Sequence, residues 1–201
     1  MHNKTSAALS TRTITLAAML SVIVVVLQIV ANLIQPVPGV AITLVLVPVV
    51  IGAALLGPAV GAWLGFVFAM TVLLSGAAAA FLPISAFGTV LTVIVKGVCA
   101  GLCAGLVFKA LEQKNQYLAV ICAAIVCPIV NTGIFLIGCR LFFWPTIAQW
   151  GRDSGFENPA AFALLGLAGV NFLIELAINI VLAPVILRLV NIGRRMWTGR
   201  K

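Results

Sequence analysis

Six long apolar stretches, separated by short polar segments, constrain this chain more than any other feature of its sequence. A helix needs about 20 apolar residues to cross the hydrocarbon core of a bilayer, and stretches near this length recur along the whole chain. Hydrophobic residues make up 63% of the 201 residues and charged residues only 8%, whereas about a quarter of a soluble domain is charged. The sequence therefore predicts an all-α integral membrane protein. We expect a single transmembrane domain over residues 1–201, a bundle of six helices at 13–34, 40–56, 58–74, 87–111, 117–144 and 160–190.

Basic residues are divided very unevenly between the two sides of such a bundle. With six spans, both termini lie on one side, and the loops of the other side carry only Arg152 as a basic residue. Because lysine and arginine accumulate on the cytoplasmic side, both termini are predicted to be cytoplasmic. The basic residues of that side are Lys4, Arg12, Lys109, Lys114, Arg188, Arg194, Arg195, Arg200 and Lys201. This distribution explains the net charge of +8 without nucleic acid as a partner. Five spans would result if the second and third stretches formed one re-entrant hairpin.

Small residues form two smooth stripes, one on the third apolar stretch and one on the fourth. Residues four apart share a helix face, and small residues at such positions let helices approach closely inside a membrane. We therefore predict close helix packing at Gly57, Gly61, Gly65, Gly97, Gly101 and Gly105. Because Lys96 stands beside the second stripe, the fourth stretch is predicted to lie centrally in the bundle and to help line a solute site.

Three charged residues lie inside the predicted spans, where a charge is unfavourable unless it faces protein, water or a ligand. They are Lys96, Arg140 and Glu175. Lys96 and Glu175 could be a structural ion pair between helices, and Arg140 could extend to the outer interface. In the functional interpretation all three line a cavity that opens to the outside. Their net charge of +1 then leaves one cation for a solute carboxylate, which favours an acidic or strongly polar solute.

Three asparagine residues accompany these charges. Asn171, Glu175 and Asn179 follow one another at intervals of four and form a polar ridge on the sixth stretch. Asn131 comes just after Pro128, where a helix kink would free backbone groups. Amides inside a membrane bundle either bridge helices or contact a solute. Bridging is favoured for Asn131 and Asn179 and solute contact for Asn171, and all three are candidate solute ligands.

Residues that catalysis requires are nowhere grouped in the sequence. No histidine lies in an apolar stretch, no two acids stand close together there, and no glycine-rich phosphate loop is present. The five cysteines lie in apolar stretches without histidine or acid beside them, so we interpret them as core residues and not as metal ligands. We therefore expect no enzyme activity, no metal and no cofactor in this chain.

Three segments, taken in their order along the chain, carry a family resemblance. A basic N-terminus leads into a predicted helix in which two small residues, Ala17 and Ser21, stand four residues apart. The second and third stretches contain the sequence LVPVVIGAALLGPAVGAWLG, and the sixth contains NFLIEL followed by an Ala-Pro pair. In these features the chain resembles the substrate-binding S components of energy-coupling factor (ECF) vitamin transporters.

The resemblance implies a small six-helix bundle in a prokaryotic cytoplasmic membrane that binds one vitamin or vitamin precursor on its outer side. It also implies partners, namely a membrane T component and two cytosolic ATPase subunits, which alone would hydrolyse ATP. The small-residue face of the first span would meet the T component, here at Ala17 and Ser21.

Solute contacts in that family come from the fourth to sixth spans, which here hold Lys96, Asn131, Arg140, Asn171 and Glu175. Lys96 together with Arg140 suits the carboxylate of pantothenate, which is the favoured vitamin, and riboflavin comes next. An autonomous channel or facilitator for small solutes is the alternative function.

Overall fold

The computed structural model describes residues 11–33 and 44–198, and every regular element in these ranges is helical. The helices are α1 (Thr11–Leu33), α2 (Leu46–Leu56), α3 (Pro58–Leu74), α4 (Ala86–Leu111), α5 (Gln116–Phe142), α6 (Trp144–Asp153), α7 (Pro159–Val181) and α8 (Ala183–Thr198). Four of them, α1, α4, α5 and α7, are long and apolar enough to cross a membrane, whereas α2 and α3 are shorter apolar helices. The expected all-α fold is thus confirmed for the described part of the chain, and its apolar helices are compatible with a membrane bundle.

Capping side chains and prolines fix several helix starts. Ser85 accepts a hydrogen bond from the Gly88 N–H at the start of α4, and Asn115 accepts two at the start of α5. Pro58 and Pro145 lie in the first turns of α3 and α6. Backbone N–H groups in a first turn have no partner within the helix, so proline costs no hydrogen bond there. These local signals therefore fix where α3, α4, α5 and α6 begin.

The region after the fifth span differs from the sequence prediction. The predicted span 160–190 is two helices, since α7 ends at Val181 and α8 begins at Ala183. Pro184 supplies no N–H to a continuing helix, which accounts for the break. Residues 145–159 lie between predicted spans, yet most of them form α6. Within α7, residues Phe162–Gly169 form a π-helical segment.

Two prolines, Pro48 and Pro128, lie within helices. Pro48 lies in the first turn of α2, which begins at Leu46, so it removes no bond from the helix interior. The prediction for residues 40–43 falls outside the described ranges. Pro128 lies within α5, and the helix continues through it.

The glycine stripes of α3 and α4 face each other, and the two backbones touch. A Cβ at Gly61 would collide with the carbonyl of Gly101, and a Cβ at Gly65 with the carbonyl of Gly97. A Cβ at Gly105 would lie 2.6 Å from the Cα of Pro58. Only glycine permits this approach, and the interhelical contact is correspondingly dense.

Gly57 has a different role from the one expected. It joins α2 to α3 with φ at 98°, a backbone conformation that favours glycine, and no heavy atom lies within 4 Å of a Cβ built there. Its contribution is therefore to the turn between the helices and not to helix packing.

The two ends of the bundle differ in composition. At one end, Arg194 of α8 forms an ion pair with Glu112 in the α4–α5 turn, and Lys109 and Lys114 lie beside it in sequence. Gly193 of α8 packs on Leu55 near the end of α2. The first turns of α1 border the same part of α8, so the described start of α1 also lies there. We call this the basic end.

The opposite end holds a cluster of aromatic side chains, which we call the aromatic end. It is formed by the turn segment between α3 and α4, the end of α5, α6 and the start of α7. A second, larger core of aliphatic side chains fills the bundle between the two ends, with contributions mainly from α2 to α5 and α8. Nearly all of α2 is buried in that core, whereas much of α1 is exposed.

Candidate solute site

A small cavity lies at the aromatic end, between α3, α4, α5 and the turn segment that precedes α4. Its volume is about 60 Å³ and its lining includes Thr89, Thr92, Lys96, Phe135 and Phe143. Binding sites for small molecules have volumes of about 300–1,000 Å³. The cavity in this conformation therefore holds water-sized groups, and a vitamin would need its walls to move outward.

Phe81 closes the cavity at the aromatic end. Its ring contacts three other rings, with centroid distances of 5.0 Å to Phe143, 5.7 Å to Trp150 and 5.8 Å to Phe135. Two of these pairs are edge-to-face, the arrangement that aromatic quadrupoles favour. The side of the cavity next to Phe81 is thus a set of ring faces and edges with no charged group among them.

Lys96 brings a cation into the cavity from the middle of α4. Its Nζ lies 5.4 Å from the centroid of Phe135 and 5.9 Å from that of Phe68, so an aromatic ring from α5 and one from α3 both attract it. The side chain is half-buried and lines the cavity. Glu175 is within electrostatic reach of the ammonium group, as is Cys139.

Glu175 supplies the opposite charge from α7. The residue is 8% exposed and lies close enough to interact with both Lys96 and Cys127. One turn further along α7, Asn179 is completely buried and donates a hydrogen bond of 2.8 Å from Nδ2 to the backbone carbonyl of Glu175. Both residues therefore lie inside the bundle on one face of α7.

Asn131 lies on the face of α5 that borders both charges. Cys127, Asn131, Phe135 and Cys139 follow one another at intervals of four and so share one face of the helix. Cys127 interacts with Glu175, while Phe135 and Cys139 interact with Lys96. Asn131, which is 6% exposed, lies between these contacts. The structure therefore groups Lys96, Asn131, Glu175 and Asn179.

Three buried side-chain oxygens in this region have no hydrogen-bond partner within the described residues: Thr92 Oγ1, Asn131 Oδ1 and Asn179 Oδ1. A buried polar atom without a partner is unfavourable by about 1–3 kcal/mol, and such atoms are rare in folded proteins. Thr92 is 5% exposed and lines the cavity. Its hydroxyl points towards Gly138 of α5 and would lie 2.4 Å from a Cβ at that position.

Arg140 does not lie in the cavity, contrary to the functional interpretation of the sequence. Its side chain is exposed, and its guanidinium lies 4.6 Å from the centroid of Trp144. The neighbouring helix positions Gly138 and Cys139 face inward, which turns Arg140 to the surface of the bundle. Contact with a half-buried indole just beyond the end of the helix is the environment expected for an interfacial arginine.

Asn171 is half-buried on α7, one turn before Glu175, and is the least enclosed of the three asparagines. It occupies the same helix face as Glu175 and Asn179, as the spacing predicts.

The small-residue face of α1 is turned towards α3. Ala17 and Ser21 are both half-buried. Ser21 accepts a hydrogen bond of 3.3 Å from Trp63 Nε1 and donates one of 2.8 Å to the carbonyl of Ala17. This face is therefore already occupied in part by the chain's own third helix.

The aromatic walls and Thr92 are absent from the sequence prediction. One signal was present, since Thr89, Thr92 and Lys96 are spaced by three and four and so share a face of α4. No comparable signal marks Phe81, because the turn segment that carries it has no periodic pattern.

Comparison with known proteins assigns the chain to a family. Residues 12–187 match the family of ECF transporter substrate-specific components. The chain belongs to this family. The match runs from the start of α1 into the first part of α8 and so includes every residue of the cavity. No curated protein and no solved structure matches the chain. As a substrate-specific component, the protein is a multi-pass membrane protein with a solute partner.

Proposed function

We propose that the protein is the high-affinity vitamin-binding subunit of an ATP-driven ECF importer. The observation that carries the proposal is the cavity at the aromatic end, which Lys96 lines in the interior of a membrane bundle of this family. Charged residues inside a membrane bundle are typical of solute pathways and binding sites. The bound solute would be a vitamin or vitamin precursor.

The proposed topology has six crossings, with the basic end in the cytoplasm of a prokaryotic cell. The α2–α3 hairpin contributes two of these crossings. Support comes from the positions of Arg12, Lys109, Lys114 and Arg194, all on elements of the basic end, since basic residues accumulate on the cytoplasmic side. The cavity then opens towards the outside, where an importer collects its solute.

The proposed partners are a membrane T component and two ATPase subunits, and this chain itself catalyses no reaction. Because Ala17 and Ser21 face α3 in part, the T component would pack on the adjoining exposed face of α1. That face is apolar and includes Met19, Val22 and Val26.

The close contact between α3 and α4 favours a binding site over an autonomous channel. Gly65 and Gly97 meet directly beside Lys96, so the backbones of two central helices are in contact at the level of the cavity floor. A water-filled pathway would require these helices to separate.

Co-purification tests the proposal. The protein, tagged and isolated in mild detergent from its own cell type, is expected to bring with it a second membrane protein and two ATPases, and to retain one vitamin that mass spectrometry identifies. A Gly101→Leu variant, in which the α3–α4 contact is disrupted, serves as the control for non-specific capture. Isolation of the protein alone, with solute flux across vesicles in the absence of ATP, would show a facilitator instead.

A further inference from the structure

A long apolar groove lies on the surface of the bundle between α1, α2 and α8, and it shares no lining residue with the solute cavity. Its volume is about 470 Å³, which is within the range of about 300–1,000 Å³ for ligand-binding pockets. Every lining residue in the described ranges is a leucine, isoleucine or valine, apart from Pro48 and Gly193. The walls therefore suit a hydrocarbon chain and offer no side-chain partner to a polar ligand.

The groove is open to the surroundings of the bundle. Ile23 on α1 and Leu189 and Ile192 on α8 all line it and are all exposed. Because α1 is long and apolar enough to cross a membrane, these exposed side chains lie at the depth of the lipid chains. An acyl chain can therefore enter the groove from the side, directly from the bilayer.

The groove extends over about the thickness of one leaflet. Leu16 and Leu27 line it on α1 and are eleven residues apart, which corresponds to about 16 Å along a helix. The hydrocarbon core of a bilayer is about 30 Å thick, so one leaflet accounts for about 15 Å. The groove reaches the basic end, where Gly193 packs on Leu55. A lipid whose headgroup lies at the basic end would thus have one chain along the groove.

Two arginines border this groove, one at its mouth and one along its wall. Arg12 lies one turn before Leu16 on the same face of α1, and Arg188 comes directly before Leu189 on α8. Both arginines are exposed. An arginine side chain can extend along an apolar wall and hold its guanidinium at the interface. The groove therefore has a positively charged border, and guanidinium groups bind phosphate with paired hydrogen bonds.

Negative charge is scarce at the basic end. The whole chain contains four acidic residues. Glu112 lies at this end and is paired with Arg194. Glu175 is buried in the bundle, and the other two follow α5 in the sequence, on or after α6. The charge of the groove border is thus complementary to an anionic headgroup, and basic pockets between membrane helices bind such headgroups.

From the length, the apolar walls and the charge of the border, we propose that the groove binds one acyl chain of an anionic phospholipid, whose phosphate is held by Arg12 and Arg188. The proposal goes beyond the proposed function, because it concerns neither the solute nor its cavity. The lipid would lie next to the exposed face of α1 on which the T component is proposed to pack. A bound lipid would therefore form part of the surface that this partner meets.

Native mass spectrometry of the full-length protein, freed of lipid in detergent, is the first test. Dioleoyl phosphatidylglycerol and dioleoyl phosphatidylcholine have the same chains, and only the first has a net negative headgroup. The wild type is expected to retain one phosphatidylglycerol molecule, with an affinity about tenfold or more above that for phosphatidylcholine. Equal binding of the two lipids, or retention of neither, overturns the proposal.

Charge variants test the headgroup contact. Arg12→Gln/Arg188→Gln should bring the affinity ratio of the two lipids close to one, while its melting curve in lipid-free detergent shows that it still folds. Lys109→Gln is the matched control, because it removes an exposed positive charge of the basic end from α4, which does not line the groove. It should retain the preference. A preference that persists in the double variant, or that Lys109→Gln abolishes equally, contradicts the proposal.

A groove variant tests the chain contact. Ile23→Trp fills the middle of the groove and should lose binding of both lipids. Val22→Trp adds the same ring at an exposed residue outside the groove lining and should bind them like the wild type. If Ile23→Trp does not fold, Leu189→Trp on the facing wall takes its place. Unchanged lipid binding in the folded groove variant overturns the proposal. If that variant instead loses only the co-purifying T component, the groove is a protein-binding surface and the proposal is wrong.

Discussion

The two ends of the α3–α4 pair are built on opposite principles. Towards the basic end, glycine faces glycine and the backbones touch, so no space remains for a ligand. Towards the aromatic end, the same helices carry Phe68, Thr92 and Lys96, of which the last two line the cavity. Small residues thus hold the two helices in contact, and larger or polar residues a few turns away line the cavity.

The largest change in stability is expected when the cation at the site is removed. Lys96→Met leaves the buried Glu175 without the ammonium near it and should lower the free energy of unfolding by about 3 kcal/mol. The double variant Lys96→Met/Glu175→Met removes both charges and should recover most of this loss. Chemical unfolding in detergent measures both, and equal losses in the two variants would argue against coupling of the two residues.

The next largest effect is expected at the glycine contact. Gly101→Ala forces a methyl group into the backbone of Gly61 and should destabilise the bundle by about 1–3 kcal/mol. Gly133→Ala on α5 is the matched control, because nothing lies within 4 Å of a Cβ there. Alanine is the better helix former, so this variant should be as stable as the wild type or slightly more. Equal melting temperatures for the two variants would refute tight α3–α4 packing.

Phe81→Ala should make the aromatic end more accessible and so increase its difference from the closely packed glycine contact. The variant loses three ring contacts of a half-buried side chain, an expected destabilisation of about 1–2 kcal/mol. In a chain whose other cysteines are replaced by alanine, Cys139 should react faster with a small maleimide once Phe81 is shortened. Phe87→Ala, at a side chain that is 73% exposed, is the control and should leave the reaction rate of Cys139 unchanged.

The smallest effect is expected at the basic end. The Arg194–Glu112 ion pair is partly exposed, with side-chain exposures of 39% and 25%. Pairs of this kind contribute about 0.2–1 kcal/mol, and salt screens them. Arg194→Gln should therefore lower the melting temperature slightly at low ionic strength and hardly at all at high ionic strength. Arg188→Gln, at an exposed arginine on the same helix, provides the comparison, and a larger loss there would contradict the assigned pair.

The sequence was sufficient for the fold class and for much of the packing pattern, for physical reasons that are local. Apolar stretches of membrane length predict helices, and glycine at intervals of four marks the face that another backbone can approach. The same periodicity correctly placed Glu175 and Asn179 on one face of α7. Gly57 was misjudged because its spacing fits the stripe while its backbone conformation belongs to a turn.

The site was less predictable because it depends on which way single side chains point. Arg140 is as charged as Lys96 and also lies inside a predicted span, yet Arg140 contacts Trp144 at the surface while Lys96 lines the cavity. The difference arises from the rotation of α5 against α4, which depends on contacts between distant parts of the chain. Phe81 was missed for a related reason, since no periodic pattern in a turn segment shows which rings its side chain will contact.

The π-helical segment Phe162–Gly169 has a consequence for how α7 tolerates change. A π-helix bonds residue i to i+5 and so takes more residues per turn than the 3.6 of an α-helix. The segment therefore sets the angular phase between the half of α7 that carries Phe162 and the half that carries Glu175. Deleting one residue from it would let the segment tighten into an ordinary α-helix while leaving composition and hydropathy almost unchanged. Because a π turn takes up about one residue more than an α turn, such a deletion would leave the Glu175 carboxylate pointing in the same direction. The segment thus lets α7 change its length by one residue without reorienting the charge that follows it.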